Sequence, residues 1–279
     1  MITRPDYLLV GHITRDLLND GSTVPGGTSF YAAITAHRLG KVVAVISASA
    51  ELPYYWPKAI NLAFVSPTSP MFANKYTAHT RQQTVFTTGD PITLADIPLE
   101  WTTAPIVHLS PVLGETPEAF VHAFPRALLG VTPQGWMRSL GRNPKLPSMV
   151  AYCRWDPSPQ LLNRINALIL SIEDIEGDES LARAYARHCN LVVVTRGAQG
   201  ATLFQKSEPY HVEAFPAHEH DPTGAGDVFA AALLVRLYET DNPFEAAHFA
   251  SGAAARSVEG SGAARVPTRP ELEAFLKHS

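Results

Sequence analysis

The stretch Pro222-Thr223-Gly224-Ala225-Gly226-Asp227 sets two glycines and a carboxylate at the start of an apolar run. In that run Val228, Phe229, Ala232, Val235 and Leu237 recur at helical spacing. Glycine permits positive φ and lets a ligand touch the backbone. The first turn of a helix has unpaired N–H groups and a partial positive charge. A small-residue turn running into a helix is therefore an anion site, suited to a phosphate or a developing phosphoryl charge. Asp227 in that first turn has two readings. It can stabilise the helix end, by a few tenths to about 1 kcal/mol. It can also accept a proton from a hydroxyl beside a bound phosphate. The stretch alone leaves both open, although a plain cap needs neither glycine. The sequence holds no G-x-x-x-x-G-K-[ST] and no G-x-G-x-x-G after its first apolar run. That excludes a Walker-type NTPase and argues against a Rossmann dehydrogenase.

The elements that must hold this turn come from the apolar runs. Six of them are short and lack polar alternation: those starting at Tyr7, Val42, Pro105, Ala127, Ala167 and Leu191. Strands buried on both faces read this way, hence a parallel sheet covered by helices. Helical patterns lie between them, from Ser29 to a stop at Gly40, from Glu179, and after Gly226. The alternation predicts an α/β doubly wound sheet. Two segments break it. Residues 14–27 carry a D-G turn between short runs, and residues 74–88 alternate and are rich in threonine. Both predict antiparallel strands outside the main sheet. A further hairpin is expected over 200–215, and a loop with a short helix over 131–147. No stretch reads as a linker, so residues 1–279 are expected to form one domain with a small appended sheet.

Bulk properties narrow the partners. The chain has 279 residues, 46% of them hydrophobic and 17% charged, with a formal net charge of −4. This is a soluble globular composition without the basic surplus that drives polyanion binding, so a nucleic-acid partner is not expected. No apolar segment approaches the roughly 20 residues that span a bilayer, and the N-terminus has no signal pattern; a cytoplasmic location is expected. The two cysteines, Cys153 and Cys189, form no metal spacing and no disulfide framework. The cluster from His218 to Asp221 reads as a solvated loop rather than a zinc site, because no further ligand stands at useful spacing.

"DPTGAGDVFAAALL" resembles the C-terminal signature of the ribokinase (PfkB-type) family of small-molecule kinases. "VPGGTSFYAAITAHRLG" is similar to the family's N-terminal Gly-Gly motif and helix. "LVVVTRGAQGATLF" is similar to its nucleotide-binding segment, and "FASGAAARSVEGSGA" to the helix and loop around the adenine and cation sites. The resemblance implies a ribokinase-like doubly wound sheet with a small, reduced β lid at roughly 14–27 and 74–88. It makes Asp227 the base that deprotonates the acceptor, with Gly224, Ala225 and Gly226 forming the anion hole. It assigns Thr195, Gly197 and Gly200 to the nucleotide loop, with Ser251 near adenine. A tight turn also explains those glycines, and a packing role also explains the serine. Ser171 and Asp174 occupy the place of the family's N-x-x-E motif. Asp174 would organise Mg²⁺ through water, or the pair would simply cap a turn. A potassium site would draw on Asp221, Thr223, Ser257, Gly260 and Gly262, an oxygen-only set that suits a hard cation.

On the acceptor side the resemblance implies Asp16, Gly26 and Gly27, with Arg81 on a lid strand. Tyr31 stands where relatives place a substrate-binding Asn. "GVTPQGWMRSL" and "GGTSFYAA", with Ser171 in place of Asn, most resemble the inositol-kinase branch. The expected activity is ATP- and Mg²⁺-dependent phosphorylation of a sugar or cyclitol hydroxyl. A nucleoside kinase, with Tyr31 stacking on a base, is the alternative. A nucleotide- or sugar-binding regulator without activity is the third reading. The exposed edges of a lid sheet also suggest a homodimer.

Overall fold

The computed structural model describes residues 4–48, 52, 55–76, 81–141, 144–206 and 208–278. In chain order the elements begin with β1 (Tyr7–Val10), β2 (Thr14–Leu17), β3 (Thr23–Gly26), α1 (Thr28–Arg38), β4 (Val43–Ala48), β5 (Asn61–Ser66), β6 (Met71–Tyr76), β7 (Arg81–Thr87), β8 (Ile106–Leu109) and β9 (Leu128–Val131). They continue with β10 (Arg138–Ser139), β11 (Ser148–Met149), β12 (Ala151–Tyr152), α2 (Pro159–Leu162), β13 (Ala167–Ser171), α3 (Glu179–Tyr185) and β14 (Leu191–Thr195). The last are β15 (Ala201–Gln205), β16 (Glu208–Val212), α4 (Ala225–Thr240), α5 (Pro243–Ser257) and α6 (Arg269–His278).

The six uninterrupted apolar runs all become strands of one nine-stranded sheet, ordered β16-β15-β14-β13-β9-β8-β1-β4-β5. Pairing is parallel from β14 through to β5 and antiparallel in β14-β15-β16. Their lack of alternation follows from burial on both faces. Tyr7, Leu9, Val45, Ile169 and Val193 face the core layer containing α1, α4 and α5. Leu8, Val10, Ile46, Leu168 and Val192 face a second layer built on Trp101, Phe124, Trp155 and Tyr185. Each such side chain contributes roughly 1.5–3 kcal/mol on burial, so both faces of the sheet are strongly specified. Gly130 in β9 brings α4 close. A Cβ there would sit 2.3 Å from Leu234 Cδ1, so the helix carrying Asp227 lies directly on the sheet.

The small second sheet is five-stranded, ordered β11-β7-β6-β2-β3. The D-G turn does join an antiparallel hairpin, β2-β3, and β6-β7 is antiparallel as well. The two hairpins meet through β2-β6, which is parallel, so the sheet is mixed rather than purely antiparallel. β11, two residues long, adds the strand that the loop reading of 131–147 stopped short of. Part of the 74–88 segment, residues 77–80, lies outside the described residues.

β1 sits between β4 and β8, so strand order reverses at its carboxyl end, where α/β sheets open a binding crevice. The first turn of α1 is fixed there. Ser29 Oγ donates to Gly11 O at 2.8 Å and lies 2.9 Å from Ser110 Oγ, tying α1 to the ends of β1 and β8.

Candidate active site

Asp227 lies in the first turn of α4, half-buried, and its Oδ1 accepts a 2.7 Å hydrogen bond from Thr28 Oγ1 at the start of α1. The positive ends of two helices therefore meet at one carboxylate. Gly224 precedes α4 with φ 80°, and no side chain caps the helix. The Ala225 N–H donates to Pro222 O at 3.2 Å, which closes the turn. Gly226 faces open space: a Cβ there would meet nothing within 4 Å.

Tyr31 packs its ring on Gly224. A Cβ on that glycine would lie 2.4 Å from the ring, so glycine is required by contact as well as by φ. Tyr31 is only 4% exposed. It is thus the floor of the glycine turn rather than an open platform for stacking a base. Burial, followed by the nearby carboxylates of Asp227, Asp221 and Asp16, drives its phenol pKa upward and keeps it neutral. Three acidic residues from distant parts of the chain thus bear electrostatically on one phenol. Tyr55, missed by the sequence reading, joins them. It too bears on Tyr31, and its Oη lies 3.9 Å from where a Gly262 Cβ would be.

Asp16 stands on β2, and its Oδ2 lies 2.7 Å from the position of a Gly26 Cβ. Gly26 ends β3 opposite Thr14, and Gly27 turns the chain into α1 at φ 81°. Gly26 therefore lets the Asp16 carboxylate lean over the backbone, while Gly27 lets the chain pass close to Thr14 and His12 O. Arg81 opens β7, and its side chain lies outside the described residues.

Across the main sheet, Thr195 ends β14 beside Ser171 at the end of β13. Gly197 and Gly200 both have positive φ, and a Cβ on Gly200 would fall 2.1 Å from Val212 O. Ser171 and Asp174 clasp each other: Ser171 N donates to Asp174 Oδ2 at 2.9 Å, and Asp174 N donates to Ser171 Oγ at 3.1 Å. Gln134 Nε2 donates to Asp174 Oδ1 at 3.2 Å, a contact that the sequence reading missed. The capping geometry is thus present. Each carboxylate oxygen retains a further lone pair that suits outer-sphere contact with a hydrated cation. Ser251 is buried on α5, and its hydroxyl donates to Glu213 O at 3.0 Å.

Asp221 ties the 220–223 turn to the 257–262 loop. Its Oδ1 accepts from Thr223 N at 3.0 Å and its Oδ2 from Gly262 N at 2.9 Å. Burial opposes its charge, but the hydrogen bonds from Gly262 and Thr223 outweigh that and hold its pKa below the usual carboxylate value. The His220 and Asp221 N–H groups both donate to Val258 O, and Ser257 Oγ donates to Ala254 O. Gly260 leaves room for Arg265, whose Cγ would lie 2.4 Å from a Cβ there. An ionised carboxylate, a threonine and loop carbonyls are a donor set that fits a hard monovalent cation.

Beneath the crevice lies a buried anchor without a motif signature. Glu115 accepts from His12 N, Val112 N and Leu113 N at 3.0, 3.0 and 2.8 Å. His12 in turn accepts from Ala48 N at Nδ1 and donates to Asp90 O from Nε2. Thr28, Glu115, Gln134 and Tyr55 act through tertiary contacts. Only Thr28, directly after the Gly-Gly pair, had a local signal.

The fold and the glycine turn with its aspartate define the class: a ribokinase-like α/β protein. Residues 152–269 match the pfkB family of carbohydrate kinases. The chain is 31% identical over 122 residues to a ribokinase of Haemophilus influenzae, covering 42% of this chain and 40% of that protein. It is 37% identical over 98 residues to a ribokinase of Bacillus subtilis, 35% of this chain and 33% of that one. These alignments span well under half of the curated relatives' lengths. Two solved structures superpose over nearly the whole chain. A pyrophosphate-dependent kinase of the ribokinase family, bound to a pyrophosphate analogue and myo-inositol, has a TM-score of 0.80 at 22% identity, covering 96% of this chain and 99% of that one. The ribokinase of Thermotoga maritima has a TM-score of 0.72 at 22% identity, covering 97% and 99%. Among the described residues no helix is long and apolar enough to cross a membrane.

Proposed function

We propose that the protein is a kinase that transfers the terminal phosphoryl group of ATP to a hydroxyl of a sugar or cyclitol. The observation that carries this reading is Asp227, held by Thr28 in the first turn of α4 directly after the Gly224–Gly226 turn. The acceptor O–H gives its proton to Asp227 as its oxygen bonds to the phosphorus. The bond from phosphorus to the bridging oxygen breaks, and its electron pair leaves with ADP. The glycine turn and the α4 end stabilise the charge in transit, which is where most of the catalysis of phosphoryl transfer resides. Gly224, Ala225 and Gly226 form the anion hole in this reading.

Asp16, Gly26, Gly27, Tyr31 and Arg81 lie on the acceptor side. Thr195, Gly197, Gly200, Ser171 and Ser251 lie on the donor side. Asp174 would hold hydrated Mg²⁺, which shields the phosphates when bound. Asp221 and Thr223, with carbonyls of Ser257, Gly260 and Gly262, would hold K⁺. Residues 1–279 act as one kinase unit in the cytoplasm, with the small sheet as lid. Its edge strand β3 is where a second copy would pair.

One observation favours a second donor. Where the resemblance places adenine, Ser251 is bonded to Glu213 O, and the Phe215 ring meets His248 and Phe275 at 5.0 and 5.3 Å. These direct contacts join the 213–215 segment to α5 and α6 and favour a donor without a base, such as pyrophosphate. A grid of ATP and pyrophosphate against sugars, inositols and nucleosides, read as acceptor phosphate ester formed, tests both. Ester formation from a sugar or cyclitol is expected. Turnover of nucleosides alone, or of no acceptor, overturns the reading.

A further inference from the structure

Arg138 opens β10, after the 3₁₀ turn Pro133–Met137. Its Nη1 donates to Val112 O at 3.1 Å, in the loop that follows β8 at the crevice. Its guanidinium also lies over the Phe72 ring, 5.9 Å from the centroid. Phe72 is on β6, in register with Asp16 on the parallel neighbour β2. Register partners on adjacent strands project from the same face of a sheet. Phe72 is 2% exposed, so that face is the one turned inward to the main body. Arg138 therefore links the loop after β8 to the five-stranded sheet, packed on the Phe72 ring whose register neighbour is Asp16. Two residues further along β6 on the same face, Asn74 Oδ1 accepts from Gln83 Nε2 at 2.7 Å.

We propose that Arg138 is a specificity-determining residue of the acceptor site, and that with Asp16 it selects a neutral polyol with adjacent hydroxyls. The inference rests on the kinase reading above. Its chemistry is complementary. A carboxylate takes hydrogen bonds from hydroxyls, and a guanidinium fork donates two in parallel to neighbouring oxygens. The opposite charges of Asp16 and Arg138 leave no surplus for an acidic acceptor, whose carboxylate would be brought against Asp16. Both residues are anchored on strands, so the hydroxyl presented to Asp227 is set by how the polyol spans them.

The test uses the full chain and two variants, Arg138→Met and Arg138→Lys. Binding of myo-inositol, ribose, fructose and gluconate is measured by ligand-observed NMR titration, independently of turnover. Melting temperature and donor affinity are recorded alongside. The wild type is expected to bind a neutral polyol in preference to gluconate. Arg138→Met should weaken that binding roughly 10- to 100-fold, as expected for lost charged hydrogen bonds. Arg138→Lys should restore part of it, while donor affinity stays within about twofold. Unchanged polyol binding in Arg138→Met overturns the inference, as does a preference for gluconate or wild-type binding of no polyol. So does a loss of donor affinity equal to that of polyol, which marks a merely structural role. Turnover in the donor–acceptor grid judges the kinase reading separately.

Discussion

The Thr28 hydroxyl donates to Asp227 Oδ1 at 2.7 Å, joining the first residue of α1 to the first turn of α4 across 199 positions of sequence. Both ends are fixed independently. α1 is tied to the ends of β1 and β8 by Ser29, and α4 lies on β9 through Gly130. The carboxylate is thus aimed by two rigid elements rather than by its own loop. Thr28→Val keeps the shape and removes the donor. A hydrogen bond to a charged group contributes about 1.5–3 kcal/mol, so kcat should fall roughly 10- to 100-fold, with acceptor KM little changed. Thr28→Ser should recover most of the loss. Steady-state kinetics of the three proteins check it, and equal kcat for Thr28→Val and the wild type contradicts the role.

Asp227→Asn preserves size and leaves the Thr28 hydroxyl an amide oxygen to donate to. It removes the proton acceptor. Turnover should drop by roughly 10²–10⁴-fold, the usual contribution of a positioned base, while donor affinity and melting temperature stay close to wild type. Isothermal titration with donor and a coupled assay give the two readouts. Retained turnover assigns Asp227 to the helix end alone.

The reason the site was partly legible lies in which constraints are local. Gly224, Gly226 and Asp227 had to be adjacent for a turn, a helix end and a base to coincide, and adjacency is visible in sequence. The buried strands were legible because both faces are covered. β5 was not. It is an edge strand with Phe64 49% exposed, so it lacks the unbroken apolar signature. The two residues of β11 are too few to carry any period. The parallel β2-β6 pairing, and the Thr28 and Arg138 contacts, are set by how distant segments dock. No local pattern encodes them. Tyr31 shows the same limit from the other side. Its type suggested a stacking surface, and packing made it the floor under Gly224.

Two glycines two positions apart, Gly224 and Gly226, should separate stability from chemistry. Gly224→Ala would place a Cβ 2.4 Å from the Tyr31 ring at φ 80°, so both contact and backbone oppose it. A loss of about 2–4 kcal/mol is expected, from left-handed strain and overpacking together. Gly226→Ala meets open space and should melt within a few degrees of wild type. It narrows the approach to the α4 end, so its kcat should fall while its fold persists. Differential scanning calorimetry beside kinetics checks the contrast; two variants with equal melting temperatures refute it.

Asp221 links its turn to Gly262 and is held ionised against burial by the Gly262 and Thr223 hydrogen bonds. Its pKa is lowered in the folded state. The stability it contributes is therefore present above its ordinary value and is lost as pH falls through the lowered one. Asp221→Asn removes the charge from the candidate cation site while keeping an oxygen toward Gly262. If that site holds K⁺, wild-type turnover should rise on replacing Na⁺ with K⁺, and the variant should lose most of that response. An identical K⁺ response in both proteins excludes Asp221 as a ligand.

His108 supplies the clearest pH signature of the fold. It is fully buried in β8, with Nδ1 2.9 Å from Tyr7 Oη and Nε2 3.2 Å from Thr132 Oγ1. A neutral imidazole has one donor and one acceptor nitrogen, which matches two hydroxyl neighbours. Burial pushes its pKa down from 6.5 to about 3. Below pH 6.5 the unfolded chain takes up a proton that the folded chain refuses until about pH 3. Stability must therefore fall as pH drops through that window, by up to about 1.4 kcal/mol per unit from this group. Between pH 6.5 and 5 most carboxylates remain ionised, and His37, whose pKa is also lowered by burial, contributes alike to the wild type and to His108→Gln, so the difference between their slopes reports His108. Urea unfolding of the wild type and of His108→Gln across that interval should give a steeper slope for the wild type, whatever the offset between the curves. Parallel curves would show that His108 takes up its proton in the folded state as readily as in the unfolded one.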